Sequence, residues 1–112
     1  MIEVNEYVRT KKGSIDKVIN PNYYMSIYVE CEKGMYLLDN VVKHRKQLID
    51  LIEVGDIVNG MEVLDIHKPR DLWEPIEIRV DSRYTNFILA EDIKTILTKE
   101  SYIANCYKAE GE

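Results

Sequence analysis

The sequence has few of the residues that catalytic and metal centres require. Its 112 residues include two cysteines, two histidines and five glycines, and the glycines are scattered singly. No CxxC, HxxH or HExxH spacing occurs, although zinc sites are usually recognised by such spacings. A Gly-x-Ser-x-Gly motif, a Cys–His pair close in sequence and a glycine-rich phosphate loop are missing as well. We therefore predict that the protein is not an enzyme and has no catalytic residue, cofactor or metal.

Long apolar runs are also missing, because no stretch approaches the length that a bilayer-spanning helix needs. Residues 1–6 lack the basic segment and apolar core of a signal peptide. Cys31 and Cys106 are too few for the disulfide framework of a small secreted domain, so we expect both thiols to be reduced and partly buried. These absences predict a soluble protein inside the cell, with no membrane partner.

The charge balance is acidic, with a net charge of −5 at neutral pH. A nucleic-acid binder needs a local excess of Lys and Arg to replace the counterions along the phosphates, so this balance disfavours such a partner. Apolar residues make up 46% of the chain and charged residues 31%, which is typical of a soluble globular protein. The length fits one compact domain over residues 1–112.

What the chain does contain is a seven-residue segment that occurs almost twice. Ile-Glu-Val-Asn-Glu-Tyr-Val at 2–8 matches Ile-Glu-Val-Gly-Asp-Ile-Val at 52–58, and each copy leads through a glycine-containing turn into an apolar stretch. We predict two similar strand–turn–strand units, 2–19 and 52–66, in a small β-barrel. Duplication and the shared constraints of barrel strands both explain the echo. Asp56 is interpreted as part of the turn-entry pattern.

Alternation with a period of two predicts the clearest strands. Ile27, Val29 and Cys31 form one alternating set, and Ile76, Ile78 and Val80 form another. Gly13, Gly34 and the pair Asn59-Gly60 mark turns, and Asn59-Gly60 is the strongest short-range hairpin signal in the chain. The return strand 61–66 is apolar on both faces, which is typical of a central strand or a bend.

Two segments are ambiguous. Within 39–52, Val41-Val42 extends a strand, whereas 43–51 is compatible with a short helix or a single helical turn. Near the C-terminus we predict a helical turn at 90–92, a closing strand at 94–97 and a helix from about 99 to 108 that is capped by Thr98. One long helix over 91–108 is the alternative. The expected inner face of the short helix consists of Tyr102, Ile103, Cys106 and Tyr107.

Two basic clusters suggest nucleic-acid binding as an alternative function. Small barrels bind nucleic acid through basic loops flanked by aromatic side chains on which bases stack. The candidate phosphate contacts are Arg9, Lys11, Lys12, Lys43, Arg45 and Lys46, and the candidate platforms are Tyr7, Tyr23, Tyr24 and Tyr28. Solvated loops explain the same clusters without any ligand.

The loop at 68–75 is the candidate protein-binding surface. It holds the only tryptophan, Trp73, beside Leu72 and close to Arg70, and Pro69 and Pro75 stiffen its ends. Trp and Arg are enriched where interfaces concentrate their binding energy, and a stiff loop loses little entropy on docking. The alternative is that Trp73 folds back to plug an open end of the barrel.

Three motifs carry a resemblance to a known group. Glu-Tyr-Val-Arg-Thr-x-x-Gly-x-Ile at 6–15, Leu-Ile-Glu-Val-Gly-Asp-Ile-Val-Asn-Gly at 51–60 and Asp-Ile-Lys-Thr-Ile-Leu-Thr-Lys-Glu at 92–100 resemble small uncharacterised proteins of Firmicutes phages and prophages with SH3-like β-barrel character. The resemblance implies a cytoplasmic location in the bacterial host and a role in phage assembly, host takeover or replication. We therefore expect a mainly β, SH3-like barrel with a short C-terminal helix that acts as a non-enzymatic protein-interaction module.

Overall fold

The protein folds into two antiparallel sheets of five strands each, followed by one short helix. The computed structural model describes residues 2–22, 25, 27–70, 73–83 and 86–105. The mainly β class and the short C-terminal helix are therefore confirmed. Neither sheet closes on itself in the described residues, so each one has two edge strands. Among the same residues, no helix has the length and apolar character needed to cross a membrane.

The first sheet contains the first five strands in the spatial order β4-β3-β2-β1-β5. A 3₁₀ turn, Leu38–Asn40, connects β4 to β5, and β5 returns to pair with β1. The strand bounds are Tyr7–Thr10 for β1, Ile15–Asn20 for β2, Tyr28–Cys31 for β3, Met35–Leu37 for β4 and Val41–Arg45 for β5.

The second sheet contains the other five strands in the spatial order β10-β6-β7-β8-β9. A 3₁₀ turn at Leu48–Leu51 leads into it, and another at Ala90–Asp92 connects β9 to β10. The helix α1, Lys99–Asn105, follows β10. The strand bounds are Ile57–Val58 for β6, Met61–His67 for β7, Glu77–Val80 for β8, Phe87–Ile88 for β9 and Ile96–Leu97 for β10.

The two sheets have the same topology, and the repeated seven-residue segment of the sequence reflects this equivalence. In each sheet four strands form a meander, and the fifth returns to the first after a 3₁₀ turn. The backbone N–H of Asn5 donates to the Val18 carbonyl at 3.0 Å, and that of Gly55 donates to the Val63 carbonyl at 3.0 Å. Asn5 and Gly55 both have positive φ, 71° and 97°, a conformation that Gly and Asn tolerate best. The two predicted units therefore start the two sheets in the same way.

A bulge explains why the strand after Gly60 is apolar on both faces. The pairing of β7 with β8 shifts between Val63 and Asp65, so Ile66 returns to the side of Val63 and packs on the same core. Leu64 occupies the bulge and is 43% exposed. The first sheet has a register shift at the corresponding place, between Val18 and Asn20.

Each sheet has its own apolar core. The first consists of Val8, Val18, Val29 and Cys31, and the second of Ile49, Ile52, Val58, Val63, Ile78, Val80 and Ile88. Cys31 is buried with a free thiol, as predicted, and burial, with the nearby carboxylates of Asp16 and Glu30, raises the pKa of that thiol to about 12. The thiol is therefore unreactive near neutral pH. Cys106 lies outside the described residues.

The segments that the sequence left ambiguous resolve into strands and turns. Residues 41–45 form β5, residues 48–51 form a single 3₁₀ turn, and residues 96–97 form the closing strand, which excludes one long helix over 91–108. Thr98 caps α1 as predicted, because its Oγ1 accepts the Ser101 N–H at 3.3 Å.

The predicted inner face of α1 is wrong for both residues that the structure describes. Tyr102 is 48% exposed and Ile103 is 60% exposed. The helix contacts the first sheet through its first turn instead, where the Thr98 hydroxyl donates to the Gly13 carbonyl at 2.7 Å. The apolar spacing along the helix therefore does not mark a face packed on the core. Cys106 and Tyr107 lie outside the described residues.

Candidate functional site

Trp73 stands on the surface of the second sheet. It lies in the loop that connects β7 to β8, and it is 83% exposed. The interpretation that Trp73 plugs a barrel end is therefore wrong, because an exposed indole does not fill a core. Arg70, in the same loop, is exposed too, whereas Leu72 lies outside the described residues.

A groove opens beside Trp73. Its volume is about 370 Å³, within the range of small-ligand and peptide pockets. Three segments line it: the loop between β7 and β8 that carries Trp73, the 3₁₀ turn Ala90–Asp92, and residues 47 and 49 at the turn before β6. The apolar lining consists of Ile49, Pro69, Trp73, Pro75, Ile76 and Ala90.

The sequence builds this groove from a rigid floor and a stiff wall. Ile49 is only 3% exposed and belongs to the second core, so the floor is continuous with packed protein. Pro69 and Pro75 have fixed φ angles and no backbone donor, so the segment between them does not continue β7 or β8. Trp73 therefore lies on a wall of the groove that belongs to neither strand.

Charged side chains surround the apolar lining. Lys68, Glu74 and Glu91 line the groove, and none of them forms an ion pair with a residue that the structure describes. An apolar centre with a polar rim is the usual composition of a protein-binding surface. The rim charges are open to a partner of mixed charge.

A second feature, a buried ionic cluster, joins the two sheets. Arg9 in β1 has no exposed surface, and its two terminal nitrogens donate to both oxygens of Asp56 at 2.6 and 2.8 Å. The same guanidinium donates to the Leu51 carbonyl at 3.0 Å and to both oxygens of Glu100, the shorter bond being 2.8 Å. Arg9 thus ties β1 to the turn before β6 and to the first turn of α1.

Asp56 is held in its charged form inside this cluster. Burial by itself raises the pKa of Asp56, but the hydrogen bonds from Arg9 and from the backbone N–H groups of Glu53 and Lys99 outweigh it, so the pKa lies below its ordinary value. The predicted role of Asp56 in the turn is confirmed by the 2.8 Å bond from Glu53. Glu6 holds the equivalent position in the first half and accepts the Glu3 N–H at 2.8 Å.

Glu53 completes the cluster at its solvent side. Its carboxylate lies 2.9 Å from the Lys99 ammonium, 3.6 Å from that of Lys43 and 3.7 Å from Nε of Arg9. Burial opposes the shift, yet these three cations lower the pKa of Glu53. Each carboxylate and cation of this cluster that the structure describes has a partner of opposite charge, although Nε of Arg9 is buried without a hydrogen-bond partner.

The structure separates the residues that the sequence grouped as phosphate contacts. Arg9 is buried against Asp56, so it has no surface to offer a phosphate. Lys11 and Lys12 are exposed in the turn after β1, and Arg45 is exposed opposite Tyr7 at the other end of that strand. The remaining two candidates divide: Lys43 contacts Glu53, whereas Lys46 is exposed.

The candidate stacking platforms are also dispersed. Tyr7 lies in β1 and Tyr28 in β3, while Tyr23 and Tyr24 lie outside the described residues. Within the described ranges no three His, Cys, Asp or Glu side chains converge on a point that suits a metal ion. Of these residue types, His44 contacts one described side chain, with its Nδ1 3.0 Å from Oε1 of Glu6.

Comparison with protein-family models, with curated proteins and with solved structures finds no match to this chain.

Proposed function

We propose that the protein is a non-enzymatic protein-interaction module of phage or prophage origin, and that a protein partner docks in the groove beside Trp73. We further propose that each half is an SH3-like barrel. Five antiparallel strands, a 3₁₀ turn before the last strand and the pairing of that strand with the first support this assignment in both halves.

The observation that carries the proposal is an indole that is 83% exposed at the edge of an apolar groove. Large aromatic side chains are costly to leave in water, and exposed apolar patches next to polar rims mark interaction sites. A central Trp that inserts into a partner commonly contributes about 2 kcal/mol or more to binding. The groove wall and the indole together supply such a centre.

The backbone around Trp73 supports binding as well. Two prolines bracket the loop, so fewer conformations are lost when a partner fixes it. The floor at Ile49 is already packed in the free protein. The groove is therefore formed before the partner arrives, which reduces the entropic cost of association.

The test is affinity capture from nuclease-treated host lysate with three forms of the full chain as bait. Trp73→Ala removes the proposed anchor, and Tyr102→Ala removes an exposed aromatic on α1 that does not line the groove. We expect a partner that the wild type and Tyr102→Ala retain and that Trp73→Ala loses. With that partner purified, titration calorimetry is expected to show an affinity loss of about 30-fold or more for Trp73→Ala only.

Two outcomes contradict the proposal. One is equal capture by wild type and Trp73→Ala, and the other is unfolding of Trp73→Ala in a thermal melt. An indole that is exposed in the free protein is dispensable for folding, so the melting temperature is expected to stay close to that of the wild type.

A further inference from the structure

The register of the first sheet places an aromatic ring between two cations. β1 lies between β2 and β5, and Tyr7 of β1 is directly opposite Lys17 on one side and Arg45 on the other. Directly opposed residues share one face of a sheet, with neighbouring strands about 4.8 Å apart. The Lys17 ammonium lies 5.8 Å from the centroid of the Tyr7 ring. We call Lys17, Tyr7 and Arg45 the Tyr7 row.

Both cations of the Tyr7 row are available to a ligand. Neither Lys17 nor Arg45 forms an ion pair with a residue that the structure describes, and Arg45 donates only to the neighbouring carbonyl of His44 at 2.6 Å. Tyr7 is partly exposed, and the group over its ring is the flexible end of Lys17. An incoming planar ring can take that place.

A recess of about 240 Å³ adjoins the row, and Tyr7, Lys17 and Lys33 line it. Two carboxylates also line the recess. Asp16 is buried and already accepts hydrogen bonds from the backbone N–H of Lys17 and Lys33 and from the Tyr36 hydroxyl. Glu32 is exposed and is the one acidic side chain of the recess that faces solvent.

The overall net charge hides a contrast between the two halves. Residues 2–47 carry eight Lys and Arg against six Asp and Glu, whereas residues 48–105 carry six against twelve. Lys33 and Lys46 are exposed, in addition to Arg45. The acidic total therefore comes from the second half. Arg9 and Lys43 are paired with carboxylates of the second half, so the other cations and the carboxylates of residues 2–47 balance. The positive charge that a phosphate requires is local to the Tyr7 row, where Lys17 and Arg45 flank the ring and Lys33 lines the adjoining recess.

We propose that the Tyr7 row is a binding site for single-stranded nucleic acid. A base stacks on the Tyr7 ring and displaces the Lys17 ammonium, which moves to a phosphate, while Arg45 contacts the phosphate on the other side. Aromatic side chains between cations bind single strands with little dependence on sequence, because every base has a face that stacks. The site is distinct from the Trp73 groove, so either proposal stands if the other fails.

The experiment is fluorescence anisotropy of the full chain with a labelled oligo-dT of about 15 nucleotides, a length within the range of such sites. We expect saturable binding at about 50 mM salt that weakens at least several-fold at about 200 mM. Tyr7→Leu, Lys17→Ala and Arg45→Ala are each expected to weaken binding by roughly ten-fold. Tyr7→Trp is expected to retain it.

Three controls make the result specific. Arg79→Ala removes an exposed cation from β8, Lys94→Ala removes one from the segment before β10, and Trp73→Ala removes the exposed indole. All three variants are expected to bind within about two-fold of wild type. Heparin supplies sulfate charge without bases, and duplex DNA supplies phosphate charge with its bases stacked inside the helix. We expect both to bind more weakly than oligo-dT.

Several results overturn the proposal. They are no anisotropy change at low salt with wild type, undiminished binding by Tyr7→Leu, equal losses in the Lys94 or Arg79 variants, and heparin binding as tight as oligo-dT. If Tyr7→Leu fails to fold by circular dichroism, Lys17→Ala and Arg45→Ala decide the outcome, because Arg45 is exposed, Lys17 is only partly buried and neither belongs to the apolar core.

Discussion

At the scale of single residues, the buried pair of Arg9 and Asp56 has the largest energetic consequences. Arg9 sits in β1 and Asp56 precedes β6, so the pair joins the two halves of the chain through two short hydrogen bonds. Removing one partner of such a pair leaves a buried charge without compensation, which costs far more than the pair itself contributes. Glu6 is the matching carboxylate of the first half, and His44 is the side chain that it contacts.

The equivalence of Asp56 and Glu6 gives a matched prediction. We expect Asp56→Asn to reduce the free energy of unfolding by about 3 kcal/mol or more, since Arg9 loses its closest counter-charge. Glu6→Gln makes the same chemical change in the other half, where the carboxylate contacts His44 rather than a buried Arg, and we expect a loss of about 1 kcal/mol. Urea denaturation measures both values. Equal losses in the two variants would show that the ionic cluster is not a special stabilising feature.

The pH dependence checks the same prediction. The pKa of Asp56 is depressed in the folded state, so its contribution is complete above the ordinary carboxyl pKa near 4 and is lost as pH falls through the folded value. Glu6 and Glu53 have lowered pKa values as well and act in the same direction. Wild type is expected to lose stability below about pH 4, and Asp56→Asn is expected to show a shallower loss.

At the scale of secondary-structure elements, close backbone contact determines how α1 docks. The turn after β1 meets the start of the helix at Gly13, whose φ is 91°. A Cβ at this position would overlap Oγ1 of Thr98 and come within 2.9 Å of the Ser101 nitrogen. Gly60 also has positive φ, at 81°, but a Cβ there meets no atom within 4 Å.

These two glycines form a natural comparison. Gly60→Ala carries only the backbone strain of positive φ, about 1 to 2 kcal/mol. Gly13→Ala carries the same strain and also displaces Thr98, so we expect a larger loss of stability and faster proteolysis of the C-terminal segment. Urea denaturation and limited proteolysis followed by mass spectrometry test both expectations. If the two variants lose the same stability and α1 stays protected, the contact with Gly13 does not hold the helix.

Local patterns predicted the elements whose cause is local. The Asn59-Gly60 turn and the alternating strand around Ile78 follow from residues within a few positions, and both are present. The segment 39–52 was undecided because β5 exists by pairing with β1, more than 30 positions earlier in the chain. No spacing signals the bond between Arg9 and Asp56, which are 47 positions apart.

The candidate site, too, could be predicted from the sequence only where its features are local. The prolines and the single tryptophan of the 68–75 loop pointed to a surface, but only the structure shows that Trp73 is exposed and that Ile49 forms a floor beneath it. Tyr7 and Arg45 of the Tyr7 row were among the residues that the sequence suggested for nucleic-acid binding, but Lys17 was missed, because the three side chains meet only through the sheet register. The sequence clusters of Lys and Arg included Arg45, but they also included Arg9, which is buried.

At the scale of the whole molecule, two equivalent halves have separate cores and few connections. Among the described residues, the connections include the turn Leu48–Leu51, the first turn of α1, the contact between Lys43 and Glu53, and the guanidinium of Arg9, which touches both the turn and the helix. A tandem arrangement with separate cores unfolds in two steps unless the junction is strong enough to couple the halves. We expect the buried cluster at Arg9 to provide that coupling, because its guanidinium bonds to both halves.

Native-state hydrogen exchange measures this coupling. In wild type we expect the most protected amides of both sheets to exchange through one common opening, so that the opening free energies in β2 and β3 are similar to those in β7 and β8. Arg9→Met keeps much of the buried volume but removes the hydrogen bonds that the guanidinium donates to Asp56, Leu51 and Glu100. In this variant we expect the opening free energies of the two sheets to differ. Arg79→Met, an equal substitution at an exposed site on β8, is expected to leave the two sheets coupled. Should the sheets of Arg9→Met still open together, the junction must be held by the apolar contacts of the Leu48–Leu51 turn rather than by the ionic cluster.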